Sequence, residues 1–309
     1  MDYRQRTVRD ETSCTGIGLH SGHPVNLTIK PAPADAGISF VRKDLPSRPS
    51  IKAGLENVVD TKLSTTLGCN GVRVSTVEHL MAALFGLGID NARIELDGPE
   101  VPIMDGSAAP FIFLLRSAGV REQKSPKRFR VIKRPLEIRE GGRSVRITPS
   151  QELRISYAID FNHPLLRDQT FDLRFSGKDF VKEISRARTF GFLRDVQTLR
   201  ENGLALGGSL DNAIVIDDFR ILNEDGLRYK DEFVRHKILD FVGDLAIMGC
   251  PVIGHFAVKK SGHDLNHKLI RKLVHSEKTW EDVAVTSPEE WAEKSLTIPV
   301  FGSPDFVHA

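Results

Sequence analysis

Two stretches at an offset of 120 residues carry one pattern: Gly22-His23-Pro24-Val25-Asn26-Leu27-Thr28 and Gly142-Arg143-Ser144-Val145-Arg146-Ile147-Thr148 share G-x-x-V-x-[LI]-T. Apolar residues alternate with polar ones there, as in a half-buried strand. Four matches in seven arise by chance often enough that a second parallel is needed. Both halves supply one, a helical pattern that breaks at a glycine and leads into a strand. Aligning Gly88 with Gly249 then sets His79 opposite Asp240. The chain therefore reads as α+β, two similar halves with strands segregated from helices and a site between them. Its 309 residues agree, since single cores usually stop growing at roughly 250–300 residues.

The expected first domain covers residues 1–123. It holds a hairpin insertion at about 61–74 that turns at Asn70-Gly71, a helix at about 76–85, a strand at 92–96 and a second helix at 110–117 with Pro110 in its first turn. Residues 124–134 crowd Lys124, Lys127, Arg128, Arg130, Lys133 and Arg134 around Pro126. A solvated linker is favoured over a nucleic-acid arm, because no aromatic platform or repeated basic stripe accompanies the charge. The second domain is expected at 135–279, with residues 189–216 as an insertion that has no counterpart in the first half, and a tail at 280–309.

Composition excludes more than it proposes. Forty-three Lys and Arg against 41 Asp and Glu leave a formal +2, too weak a field to indicate a nucleic-acid partner. Cys14, Cys69 and Cys250 are odd in number and form no C-x-x-C pair, which argues against a disulfide scaffold or a cysteine zinc cage and for a reducing compartment. The glycines at 16, 18 and 22 give G-x-G-x-x-x-G with no helical pattern behind, a poor dinucleotide fingerprint. The first ten residues lack an apolar core, and the longest apolar run, residues 80–89, is ten long with two glycines. A spanning helix needs about 20. A soluble, cytoplasmic, monomeric protein without a membrane span is expected.

The chemistry concentrates in residues 233–249. His236, Asp240 and Asp244 are four apart and share one helix face. Between 238 and 248 the two aspartates are the only polar side chains. A buried carboxylate is costly unless paired, so they require a metal, a histidine or enclosed water. His-x-x-x-Asp can hold a divalent cation from one helix; a wet groove with a capping histidine is the alternative. The best source of a third ligand is Ser75-Thr76-Val77-Glu78-His79-Leu80. There Ser75-x-x-Glu78 also matches a capping box, and His79 also reads as a core histidine. The combination decides between these. Two histidines and one carboxylate leave one position of a zinc tetrahedron open, the pattern of a catalytic site, with Glu78 adjacent as a base.

His263, after the Ser261-Gly262 turn, stands where catalytic side chains often do. His267 and His275 read as the surface of a basic helix and His255 as core. His163 reads as part of a loop, and His23 and His308 as exposed singles. His20, in the glycine-rich loop, either touches substrate or simply completes a turn.

The chain resembles the zinc-dependent UDP-3-O-acyl-N-acetylglucosamine deacetylases of Gram-negative lipid A synthesis. The resemblance runs from residue 7 to 279 apart from 44–58. It rests on Gly16-Ile17-Gly18-Leu19-His20-Ser21-Gly22, Ser75-Thr76-Val77-Glu78-His79-Leu80, Pro102-Ile103-Met104-Asp105-Gly106-Ser107-Ala108, Ile184-Ser185-Arg186-Ala187-Arg188-Thr189-Phe190-Gly191, Asn223-Glu224-Asp225-Gly226-Leu227-Arg228, the His236–Asp240 motif and Ser261-Gly262-His263.

The resemblance implies two similar α+β domains with small insertions, zinc held by His79, His236 and Asp240, and Glu78 as general base. It implies His263 partnered by Asp244, acting either as proton donor or as an electrostatic stabiliser, and Thr189 at the oxyanion. Phe161, Phe190 and Lys237 would face the nucleotide or sugar end of an acylated UDP-sugar, Lys237 near the diphosphate. Arg143 would be the basic residue of an early strand in the second half. The 189–216 insertion would line an acyl passage with Leu193, Val196, Leu199, Leu204 and Ala205, although packing of a small helix also explains those residues. Two rivals stand beside this one: a zinc amidase or peptidase of another substrate, and an interaction protein whose structural zinc has a closed ligand shell.

Overall fold

The repeated pattern lands on equivalent strands of two sheets with the same strand order. The structure, a computed structural model, describes residues 3–284, 290, 296–297 and 299–301. The first half runs β1 (Arg4–Val8), β2 (Thr12–Ile17), β3 (Pro24–Pro31), β4 (Ile38–Arg42), β5 (Ser50–Lys52), β6 (Val58–Asp60), β7 (Thr66–Cys69), β8 (Val72–Val74), α1 (Glu78–Gly86), β9 (Ala92–Leu96), α2 (Ala109–Ala118) and β10 (Val120–Pro126). The second runs β11 (Arg128–Ile132), β12 (Leu136–Glu140), β13 (Arg143–Thr148), β14 (Arg154–Ile159), β15 (Gln169–Arg174), α3 (Gly177–Asp179), β16 (Phe190–Phe192), α4 (Leu193–Glu201) and β17 (Ile214–Ile216). It continues through α5 (Glu232–Ala246), β18 (Val252–Ile253), β19 (His255–Lys259), α6 (His263–Val274) and β20 (Trp280–Ala284).

The large sheets are ordered β2-β3-β9-β4-β5 and β12-β13-β19-β14-β15. In each, one inner pair is parallel, β4 with β9 and β14 with β19, and the other neighbours are antiparallel. The matched residues Val25 and Leu27 of β3, and Val145 and Ile147 of β13, are all fully buried. Alternation alone puts them on the core face. Gly88 and Gly249 follow α1 and α5 at φ of 66° and 75°, the left-handed geometry that ends a helix on glycine. The mixed α+β architecture with helices packed on small sheets is the one expected.

Helices from the two halves meet: α1 packs on α5, α2 lies beside α1, and α6 lies beside α5. Buried apolar side chains of both halves join in one continuous cluster. Three readings need correction. Residues 124–134 are not a solvated linker, because β10 and β11 occupy most of them, Phe129, Val131 and Ile132 are buried, and Lys127 is only 1% exposed. Its ammonium donates to Gly88 O at 2.9 Å and meets Asp90 at 3.1 Å. Residues 280–284 are not tail, since β20 pairs with β11 as β10 pairs with β1. His255 is half-buried rather than core, its Nε2 2.8 Å from Ser156 Oγ. His308 and most of the expected tail lie outside the described residues. Among the described residues no helix is long and apolar enough to cross a membrane, and all three cysteines are unpaired.

Candidate active site

The site forms where α1 and α5 cross. A methyl group at Gly243 would stand 2.1 Å from Glu78 O, so only glycine allows this approach. Almost every side chain of α5 is buried, which explains why its sequence lacks a broad polar face. Its His236, Asp240 and Asp244 lie on the stripe that faces α1 and α6. His79 opens α1 with Glu78 beside it. The capping-box alternative fails: Ser75 Oγ donates to Pro99 O, and Glu78 Oε2 instead accepts the Thr65 N–H at 3.0 Å.

His79 Nε2 lies 3.5 Å, and His236 Nε2 3.2 Å, from Asp240 Oδ1. The three residues offer ligand atoms within 4.8 Å of one another, all buried. Tetrahedral bonds of about 2.0–2.1 Å to nitrogen would separate ligand atoms by roughly 3.3–3.4 Å, so the spacing suits such an ion. Asp240 Oδ1, the atom both imidazoles face, is buried with no hydrogen-bond partner, a costly arrangement that an ion at the cluster would relieve. Neighbours orient the candidate ligands. His236 Nδ1 lies 3.1 Å from Ala187 O, leaving Nε2 to face Asp240, and Lys237 Nζ donates to Asp240 Oδ2 at 2.5 Å, leaving Oδ1 free. Such outer hydrogen bonds fix tautomer and carboxylate orientation. Among the described residues no fourth His, Cys, Asp or Glu joins the cluster.

Two acid–base groups flank it. Glu78 Oε1 lies 3.8 Å from His263 Nε2. Burial, opposed by the His263 charge and assisted by Asp240 and Asp244, pushes the Glu78 carboxyl up to about 7. Burial works against the His263 imidazolium. Asp244 outweighs it, and through its charge and hydrogen bond, with Glu78 and Asp240 adding, His263 is pushed up to about 9. Asp244 accepts from His263 Nδ1 at 2.9 Å. Burial also opposes its ionisation, yet His263 and His267 hold it well below the usual carboxylate range. Asp240 is likewise held low, against burial, by His236 and Lys237. Burial keeps His79 below the usual imidazole range, in the neutral form a ligand needs.

Glu78, His79, His236, Asp240 and His263 line one end of a cavity of about 610 Å³, with Asp244 buried behind them. Thr189, Phe161 and Phe190 form its wall, the two rings meeting edge to face at 5.8 Å. Leu193, Val196, Leu199, Ala205, Leu210, Val215 and Leu222 line the rest; Leu204 is not among them. His20 also lines it, its Nε2 buried without a partner, which favours the substrate-touching alternative over the turn. Arg143 does not. It stands at the start of β13, 41% exposed, 3.3 Å from Glu140. A second cavity of about 640 Å³ around Asp90, Lys127 and Phe301 contains none of these groups.

Three site residues escaped the sequence reading. His267, read as surface, is buried, its Nε2 3.2 Å from Asp244 Oδ1. Asn266 Nδ2 donates to Asp244 Oδ2 at 2.8 Å, and Thr65 Oγ1 to Oδ1 at 2.6 Å. His267 is four residues from His263, and that spacing was a usable signal. Thr65 sits in a hairpin insertion and had none. His163 is a loop residue as read, buried, with its Nδ1 accepting from Leu165 N.

Residues 5–275 match the family described as UDP-3-O-acyl N-acetylglycosamine deacetylase. The chain is 59% identical over 281 residues to a Myxococcus xanthus protein named UDP-3-O-acyl-N-acetylglucosamine deacetylase, covering 91% of this chain and 90% of that one. A protein of the same name from Marinobacter nauticus is 55% identical over 302 residues, 97% of this chain and 99% of its own. One from Thioalkalivibrio sulfidiphilus is 54% identical over 299 residues, 96% and 98%.

Proposed function

Because the chain belongs to the UDP-3-O-acyl N-acetylglycosamine deacetylase family, we propose that it hydrolyses the acetamide of UDP-3-O-acyl-N-acetylglucosamine, releasing acetate and the free 2-amino sugar nucleotide for lipid A biosynthesis. His79, His236 and Asp240 would hold zinc, a reading supported by their two imidazoles, one carboxylate and absent fourth protein ligand. Zinc, when bound, supplies a Lewis acid and makes water acidic near neutral pH.

The chain's own residues would do the rest. Glu78 accepts a proton from the attacking water as oxygen bonds to the acetyl carbon. The carbonyl oxygen takes up the electron pair, and the Thr189 hydroxyl donates to it. When the C=O re-forms and the C–N bond breaks, the amine nitrogen takes the proton of His263 Nε2, and Asp244 keeps that imidazole oriented and charged. Phe161, Phe190 and Lys237 would receive the sugar nucleotide, with Lys237 near the diphosphate and Arg143 as a further basic group outside the cavity, and the apolar stretch from Leu193 to Leu222 would take the acyl chain. A domain limit between β10 and β11, a cytoplasmic location and a monomeric state belong to the same reading; the strand pairing of β10 with β1 and of β11 with β18 and β20 supports the first, and the unpaired cysteines support the location.

The observation that carries the proposal is the convergence of His79 from one repeat with His236 and Asp240 from the other beside the Glu78–His263 pair. Metal analysis with activity measurement tests it. His79→Ala is expected to lose zinc, whereas Glu78→Gln keeps zinc and loses roughly 10²- to 10⁴-fold in turnover. A Glu78→Gln enzyme of full activity would remove the base. Equal turnover of an unacylated N-acetyl sugar nucleotide would remove the substrate assignment.

A further inference from the structure

The base and the proton donor belong to different repeats, and one backbone position touches both. Thr65 lies between β6 and β7 in the first repeat's insertion and is fully buried. Its N–H donates to Glu78 Oε2 at 3.0 Å, and its carbonyl accepts the Val77 N–H at 3.3 Å, next to the start of α1. Its hydroxyl donates to Asp244 Oδ1 at 2.6 Å and lies 3.1 Å from His267 Nε2. With the hydroxyl proton on Asp244, the oxygen accepts from the His267 Nε2–H, which is shared with Asp244 Oδ1 at 3.2 Å. All three polar groups of one residue are thus engaged around the two catalytic carboxylates.

We propose that Thr65 is a positioning residue for the deacetylation, joining the Glu78 carboxylate and the Asp244–His263 pair so that proton acceptor and proton donor keep a fixed separation across the two repeats. The inference rests on the roles given above to Glu78, Asp244 and His263. Asp244 must hold one orientation to keep the His263 ring aimed at the cavity. Three other donors, on His263, Asn266 and His267, all come from α6. Among the described residues, Thr65 alone hydrogen-bonds that carboxylate from the first repeat. Because Glu78 is bound through the backbone N–H and Asp244 through the side chain, the two links can be separated experimentally. Thr65→Val keeps the shape and the N–H and removes only the hydroxyl.

In the zinc-loaded enzyme, Thr65→Val is expected to lower kcat roughly 10- to 100-fold, the range for losing a hydrogen bond to a charged group, with KM changed less than about twofold. Thr65→Ser should recover kcat to within about threefold of the native enzyme. On an Asp244→Ala background, Thr65→Val should cost less than about twofold, because the partner of the hydroxyl is gone. Native kcat in Thr65→Val, or an undiminished loss on the Asp244→Ala background, would overturn the proposal. If Thr65→Val fails to fold, Thr65→Ala and Thr65→Ser at equal zinc content decide it: Ser holding while Ala falls supports the role, and Ser falling as far as Ala overturns it. Glu78→Gln and His263→Gln separate the two levels of the argument. If both stay active, the underlying roles fail. If both are inactive while Thr65→Val is native, only the positioning role fails.

Discussion

Both repeats set five strands in the same order, and both interrupt the pattern between the fourth of those strands along the chain, β5 or β15, and the helix α1 or α5, but with different material. The first inserts β6, β7 and β8, a three-stranded sheet that buries Val58, Leu67 and Val74 and brings Thr65 against Glu78 and Asp244. The second inserts β16, α4 and β17. No side chain of α4 is fully buried, and its Leu193, Val196 and Leu199 face the cavity instead. One insertion is packed into the core and fixes polar groups where small displacements matter. The other leaves apolar surface available to a ligand, which an ordinary surface helix would turn inward. On the proposed function, the repeated scaffold is extended once toward the acid–base groups and once toward the ligand cavity.

Gly243→Ala breaks the relation between the repeats most directly. The added methyl would stand 2.1 Å from Glu78 O, so α1 and α5 must separate. Overpacking of this kind costs about 1–3 kcal/mol, and a shift of about 1 Å in catalytic groups costs about 100-fold in rate. The expected outcome is a lower unfolding temperature, reduced zinc content and turnover down by at least that factor. Native zinc content and turnover would mean that the crossing tolerates more space than its geometry indicates.

Asp244→Asn acts on the same crossing through charge. In the proposed mechanism His263 works protonated, and Asp244 is the main influence raising it to about 9. Activity in the native enzyme is therefore lost as pH rises through that value. In the proposed mechanism Glu78 works deprotonated, so activity is lost as pH falls; burial pushes its carboxyl up to about 7 in the metal-free site, and a bound cation would move the acid limb below that. Asp244→Asn should move the alkaline limb downward and cost roughly 10- to 100-fold at pH 8, with a smaller loss at pH 6. NMR titration of His263 in the metal-free protein reads the same shift. An unmoved alkaline limb would assign it to another group.

Much of this division is legible in the sequence, for reasons that differ by residue. The repeat could be read because Val25, Leu27, Val145 and Ile147 bury one face of a strand, and burial leaves a period of two. The candidate ligands could be read because aspartates amid apolar residues are rare enough to require partners. The 124–134 segment misled because its lysines and arginines suggest solvent, whereas period-two burial of Phe129 and Val131 makes it a strand. Lys127 is accommodated there by Asp90 and Gly88 O. Thr65 depends on a contact across 179 residues, which no local pattern encodes. His267 could have been placed beside Asp244 by its spacing of four from His263 on one helix face.

The binding insertion gives a smaller effect. Val196 lines the cavity from α4. Truncation to Ala removes two methyl-sized groups, each contributing about 0.8 kcal/mol when buried against an acyl chain. KM for a long-chain substrate should rise by roughly 5- to 15-fold with kcat unchanged, and a short-chain substrate should respond less. Equal effects on both lengths would return α4 to ordinary packing.

Arg143 tests how far the binding side extends beyond the cavity. It sits directly after the repeated glycine, on the strand that corresponds to β3, yet it is 41% exposed and paired with Glu140 at 3.3 Å. An exposed cation that exchanges one anion for another contributes about 0.2–1 kcal/mol, so Arg143→Ala should raise KM by no more than about fivefold. Salt should reduce that difference further, since a diphosphate contact in water is screened over a Debye length of about 8–10 Å. The kcat should be unchanged, because Arg143 does not line the cavity in which the acid–base groups lie. A salt-independent rise in KM, or a fall in kcat, would show that the substrate draws this strand into the site and that the second repeat contributes to chemistry through its sheet as well as through α5.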